Sequence, residues 1–122
     1  YRSIPSQLAK ENRKFQYSVI GSNARARDYE TALDWLKTAG VVYSCNKTKE
    51  GNYPIKIYED FTSYKIFMSD VGLLACSLDI TIPSLLTDNI SSNAKGAIAE
   101  NYVMQQLVSI ALTPYYWESK RK

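Results

Sequence analysis

The sequence lacks histidine, and this absence removes several kinds of chemistry. The chain has 122 residues, with 15 Lys and Arg, 12 Asp and Glu, and a formal net charge of +3. Without His there is no Ser-His or Cys-His nucleophile and no imidazole ligand for a metal. The 5 glycines stand singly, so the sequence contains neither GxxxxGK(S/T) nor GxGxxG. We therefore expect no phosphate-binding loop in this chain.

Cysteine and long apolar runs are also scarce. Cys45 and Cys76 are too few and too far apart for a disulfide framework or a CxxC metal site. No apolar run approaches the roughly 20 residues of a membrane span, and no signal sequence stands at the start. These absences predict a cytoplasmic protein with reduced thiols and no membrane partner.

What remains is an ordinary globular composition, with 45% hydrophobic and 22% charged residues. The length suits one domain. The chain begins at Tyr1 without Met and ends in the run Lys-Arg-Lys at 120–122. We expect both to be cut ends of a longer protein.

Apolar spacing predicts the order of the elements. Tyr29, Leu33 and Leu36 recur at helical spacing and predict a helix over about 24–39, which Gly40 ends. Segments rich in β-branched and aromatic residues predict strands over 41–45, 55–59 and 64–68, with a polar turn over 47–52. The other predicted elements are helices over about 3–12, 71–78 (capped by Asp70) and 94–112, a short turn or helix near 82–86 and a strand over 115–119.

This order predicts an α+β fold of the winged-helix-like kind. It combines a helix-turn-helix and a short antiparallel β wing with a later long helix and a terminal strand. The second helix of a helix-turn-helix can enter the major groove of DNA, so its basic residues are candidate DNA contacts.

Arg25 and Arg27 lie at the N-terminal, base-reading end of that helix. The candidate nucleic-acid-binding residues are Arg25, Arg27, Lys10, Arg13, Lys14, Lys47 and Lys49. The alternative is a solvated helix face, because Asp28, Glu30 and Asp34 lie near the same surface and would repel phosphate. Winged helices also serve as protein-interaction modules.

Glu100 lies in the long helix, ahead of the aromatic segment at 115–119. A helical carboxylate followed by a strand is how restriction-type nuclease folds begin, and these hold Mg²⁺ with further acidic residues on the next hairpin. That hairpin is not in the sequence. We predict no catalytic residue and no metal site here, with Glu100 a candidate only in a longer parent. The alternative is a half-buried Glu paired locally.

Five stretches follow one another along the chain: IPSQLAKEN (4–12), ARARDYE with LDWL and AG (24–40), KIFMSDVGLL (65–74), KGAIAENYV (95–103) and YYWES (115–119). Together they resemble a large family of prokaryotic ATP-binding proteins. Its members have an N-terminal AAA-type P-loop ATPase domain, a winged-helix-like segment and a C-terminal domain with a restriction-endonuclease-like core.

The resemblance implies a winged-helix-like domain over 1–87. It implies that 88–122 hold a linker, a helix and a strand that begin a truncated nuclease-like domain. The chain would be a non-catalytic part of an AAA-type ATPase that couples nucleotide state to DNA or to a protein partner. ATP and Mg²⁺ would be cofactors of the parent alone. The alternatives are a truncated part of a nuclease-like enzyme and a structural homodimerisation module.

Overall fold

The computed structural model describes residues 1–2, 4–5, 26–87 and 89–119. The elements are α1 (Ala26–Thr38), β1 (Val42–Thr48), a 3-10 turn (Ile55–Tyr58), β2 (Glu59–Met68), α2 (Val71–Ser77), α3 (Ile82–Leu86) and α4 (Ser92–Ser109). The α+β class is confirmed, because these helices accompany one antiparallel sheet of two strands, β1 and β2. Within the described ranges, no helix is long and apolar enough to cross a membrane.

The predicted first long helix is confirmed in its described part as α1. Its buried side is Leu33, with Leu36 packed against the core. Gly40 ends the helix with a φ of 73°. Its N–H donates to the Lys37 carbonyl at 3.0 Å, and the Val41 N–H donates to the Leu36 carbonyl at 3.1 Å. These two bonds form a Schellman motif, which turns the chain directly into β1.

The predictions of three strands before α2 and a turn over 47–52 are wrong. Lys47 and Thr48 continue β1, and Ile55–Tyr58 is a 3-10 turn. The physical reason is the length of the partner strand. Thr48, the last residue of β1, lies opposite Glu59, so residues 55–58 have no strand beside them. Their side chains remain outside the core and gain nothing from the alternating pattern.

The predicted terminal strand over 115–119 is also wrong. Only Tyr116 pairs with β1, in an isolated parallel bridge to Lys47. The Tyr116 N–H donates to the Asn46 carbonyl at 3.1 Å, and the Thr48 N–H donates to the Tyr116 carbonyl at 2.9 Å. Pro114, which carries no N–H, prevents the ladder from extending toward the start of β1.

The register of the hairpin slips once. Val42 pairs with Met68 and Asn46 with Tyr64, but Lys47 pairs with Asp60, so residues 61–63 bulge from β2. The Asp60 carboxylate accepts hydrogen bonds from the Thr62 hydroxyl at 2.6 Å and the Thr62 N–H at 2.9 Å. These two bonds lower the pKa of Asp60. The bulge leaves Phe61 exposed.

One hydrophobic cluster holds the elements together. It contains buried side chains from α1, both strands, α2 and α4, among them Val42, Ile66, Leu74, Ala97 and Met104. Residues on both sides of the predicted 87/88 boundary therefore share this core. The division into two domains itself stays a prediction.

Two helix starts follow the local sequence. Asp70 caps α2 as predicted, because its Oδ1 accepts the Gly72 N–H at 2.7 Å. Ser91 caps α4 by accepting the Ala94 N–H at 3.2 Å. The long predicted helix is confirmed, but it begins two residues earlier and ends at Ser109.

Candidate functional site

A side chain of α4 closes the outer edge of β2. Met68 lies opposite Val42, and its backbone groups point away from β1 because the neighbouring pair, Val41 and Ser69, makes the inter-strand bond. The buried Asn101 carboxamide binds both groups: Oδ1 accepts the Met68 N–H at 2.9 Å, and Nδ2 donates to the Met68 carbonyl at 3.0 Å. One turn later, Gln105 Oε1 accepts the Val71 N–H at 2.9 Å. The two amides fix α4 to the end of β2 and to the start of α2.

A charged cluster lies between the sheet, α4 and the C-terminal segment. Lys65 Nζ on β2 is 2.9 Å from Glu100 Oε1 on α4, and both side chains are partly buried. The same ammonium stands 4.8 Å from the centroid of the Tyr116 ring, close enough for a cation–π contact. The Tyr116 hydroxyl is buried, and no described residue hydrogen-bonds to it. The Lys65 ammonium therefore connects β2, α4 and the C-terminal segment.

Two neighbours of Lys65, the Cys45 thiol and the Tyr116 hydroxyl, are poor acids. Burial raises the pKa of the Cys45 thiol from 9.0 to about 11, although the nearby Lys65 charge opposes this. Burial and the Glu118 charge raise the pKa of Tyr116 to about 12. A general acid or base works best with a pKa near the operating pH, so neither Cys45 nor Tyr116 suits that role.

Glu100 is half-buried and bound to Lys65, as the local alternative predicts. Across the part of the chain that the structure describes, no group of three or more Cys, Asp or Glu could hold a metal ion. The prediction of Glu100 as a site residue of a longer parent stays untested.

The predicted nucleic-acid-binding residues are mostly outside the described structure. Lys10, Arg13, Lys14 and Arg25 lie beyond the described ranges, and Arg27 is described only as backbone in α1. Lys47 Nζ lies 2.8 Å from Glu118 Oε2, whereas Lys49 is exposed. Of these seven residues, the structure describes the side chains of Lys47 and Lys49 only, so the DNA-binding hypothesis stays a prediction.

The hairpin tip, residues 49–58 between β1 and β2, is apolar at its surface. Tyr53 is 95% exposed and Ile57 is 69% exposed, and Phe61 in the adjoining bulge is 74% exposed. The charges nearly balance, because the tip carries Lys49, Lys56 and Glu50, and Glu59 and Asp60 follow just beyond it. Exposed apolar groups without a dominant charge are typical of protein contacts.

The outer edge of β1, which faces away from β2, borders a shallow groove that we name the edge groove. It has a volume of about 300 Å³ and lies between the start of β1, the end of α4 and residues 112–114. The residues that line it include Lys37, Val42, Ser44, Val108, Leu112 and Pro114. Pro114 also accepts a hydrogen bond from the Cys45 thiol at 3.4 Å on its carbonyl.

The model of one protein family, described as a domain of unknown function (DUF8612), matches residues 1–84. This match spans more than half of the chain. The chain belongs to the DUF8612 family. No curated protein and no solved structure matches it.

The DUF8612 match covers α1, the whole hairpin and α2, and it ends inside α3. Glu100 and Asn101 lie outside it, on α4. Sequence reasoning missed Asn101, yet one signal could have found it. Asn101 falls between Ala97 and Met104 on the buried side of α4, and a polar residue in an apolar stripe indicates a specific partner.

Proposed function

We propose that this DUF8612 chain is a non-catalytic, winged-helix-like module of a prokaryotic AAA-type ATPase, and that it couples nucleotide state to a protein partner. The single observation that carries the proposal is the hairpin. α1 passes through Gly40 straight into β1, and β1 and β2 present an exposed apolar tip. Helix, hairpin and projecting tip in this order are the parts of a winged helix. The resemblance of the five sequence stretches supports the AAA-type parent.

The composition of the tip favours a protein partner over DNA. Affinity for DNA comes largely from cations that neutralise phosphates. In the tip and its adjoining bulge, two lysines stand against three carboxylates, and Tyr53, Ile57 and Phe61 supply apolar area. Aromatic anchors of this kind dominate the energy of protein interfaces.

The coupling can be tested by hydrogen exchange in the full-length gene product. We expect ATP and ADP to give different amide protection in α1 and the hairpin. A gene product without a P-loop, or identical protection with both nucleotides, would contradict the coupling.

The choice of partner needs a separate test with labelled duplex DNA at two salt concentrations. We expect no salt-sensitive binding. Binding that weakens with salt, and that disappears in a variant with Arg25→Ala and Arg27→Ala, would assign the module to DNA instead.

A further inference from the structure

We propose that the edge groove binds an extended peptide segment of a protein partner, which pairs with the open edge of β1 at Ser44. This inference rests on the protein-binding part of the proposed function and places the contact at a second surface, away from the hairpin tip. The bound segment would carry an apolar side chain and a carboxylate.

The first support is the direction of the backbone groups. Ser44 lies opposite Ile66 in a pair that makes no inter-strand bond, so its N–H and carbonyl point away from β2, toward the groove. Val42, opposite Met68, has the same orientation, but it is only 1% exposed, so its backbone groups are closed to a partner. Among the described residues, none bonds to the two backbone groups of Ser44. An unpaired strand edge is a template for another strand.

The second support is continuity with pairing already present on this edge. Further along β1, Tyr116 bonds to Asn46 and Thr48 as a parallel neighbour. Pro114 and Leu112 then separate from the strand and form the far wall of the groove. The open stretch of this edge is therefore short and centres on Ser44.

The third support is the chemistry of the walls. Val108 and Leu112 provide apolar contacts for an inserted side chain. Among the described lining residues, Lys37 alone carries a charge, and it stands exposed in the last turn of α1. Its cation–π contact with Tyr64 is long, at 5.9 Å from the ring centroid. A carboxylate on the incoming segment complements this charge.

The test selects peptides from a displayed library of random 12-residue sequences against the 122-residue chain. We expect enriched peptides to be acidic with an apolar residue. Binding should slow hydrogen exchange at the Ser44 amide by about tenfold or more, because that N–H becomes paired. Amides of the hairpin tip should not change. No enrichment, or enrichment of basic peptides, would overturn the proposal.

Two variants probe the groove itself. Lys37→Glu should weaken peptide binding about tenfold by reversing the charge at the mouth, and Leu112→Ser should weaken it by removing an exposed apolar wall. Lys95→Glu is the matched control, because it makes the same charge change at an exposed position near the start of α4, outside both the groove and the hairpin tip. Urea unfolding of each variant separates lost binding from lost folding. Equal weakening by Lys37→Glu and Lys95→Glu would overturn the assignment to the groove.

The outcomes also separate the two proposals. Peptides that protect tip amides and leave Ser44 unchanged would overturn the edge groove and leave protein binding standing. If no peptide binds while duplex DNA does, both the groove and the protein-binding role are wrong.

Discussion

At the residue scale, Asn101 has the clearest structural task. Its carboxamide supplies the donor and the acceptor that a third strand would offer to Met68, inside a fully buried site. Replacing Asn101 with Leu leaves both backbone groups of Met68 buried without a partner. Each unsatisfied group costs about 1–3 kcal/mol, so we expect Asn101→Leu to lower the free energy of unfolding by at least about 2 kcal/mol in urea denaturation.

Asn93 offers a matched control for this experiment, since it lies exposed in the same helix. Asn93→Leu should change stability by no more than about 0.5 kcal/mol. An equal loss of stability in the two variants would contradict a specific stabilising role for the bonds to Met68.

Cys45 makes stability depend on alkaline pH. The fold raises its pKa from 9.0 to about 11, chiefly by burial. The unfolded chain therefore loses this proton first as the pH rises. The stabilising contribution is complete below pH 9 and disappears as the pH approaches about 11. Urea denaturation between pH 8 and pH 11, on the intact chain and on Cys45→Ala, should show a less steep decline in the variant.

The exposed Cys76 serves as the control thiol. Cys76→Ala should leave the pH slope unchanged, and a thiol reagent at neutral pH should modify Cys76 rapidly and Cys45 only after unfolding. Rapid modification of both thiols in the folded chain would contradict the burial of Cys45.

At the scale of elements, local signals predicted those parts of the fold that are fixed locally. The apolar stripe and Gly40 predicted α1 and its end, and Asp70 predicted the start of α2, because both helix ends depend on neighbouring residues. Strand content was predicted less well. The segment at 55–58 alternates like a strand, but its state depends on whether β1 reaches it, and β1 ends opposite Glu59.

The candidate surfaces show the same difference between local features, which the sequence indicates, and contacts between distant residues, which it does not. The sequence indicated which residues carry charge, but not that Lys47 pairs with Glu118 or that Lys65 pairs with Glu100. Both pairs join residues far apart in the chain. The edge groove was equally hidden, because it arises only where β1, α4 and residues 112–114 meet.

A substitution at Gly40 tests whether the link between α1 and the hairpin depends on the left-handed backbone of this residue. Its φ of 73° lies in the left-handed region, and a Cβ there would meet no atom within 4 Å. Gly40→Ala should therefore lower the free energy of unfolding only by the cost of a left-handed backbone at alanine, about 1–2 kcal/mol. Gly51→Ala is the matched control, since Gly51 has the same open space without a positive φ, and it should be neutral or slightly stabilising. Thermal melts of the two variants measure the difference.

At the scale of the whole molecule, the core argues for one cooperative unit. Ala97 and Met104 of α4 belong to the same buried cluster as Val42, Ile66 and Leu74. The DUF8612 match ends at residue 84, and the domain boundary predicted from the sequence lies at 87/88. The packing is not interrupted at either position, because α4, which follows both positions in the chain, closes the outer edge of β2.

A fragment of residues 1–87 should therefore fail to fold cooperatively. It loses the Asn101 bonds to Met68, the Gln105 bond to Val71 and the apolar contacts of α4. Removing one buried Met side chain alone costs about 2–5 kcal/mol, against a typical total stability of about 5–15 kcal/mol. We expect the 122-residue chain to show one urea transition and the fragment to show a gradual loss of circular dichroism. A sharp transition in the fragment, with an m-value in proportion to its length, would instead support an independent domain over 1–87, with α4 docked onto a core that is stable without it.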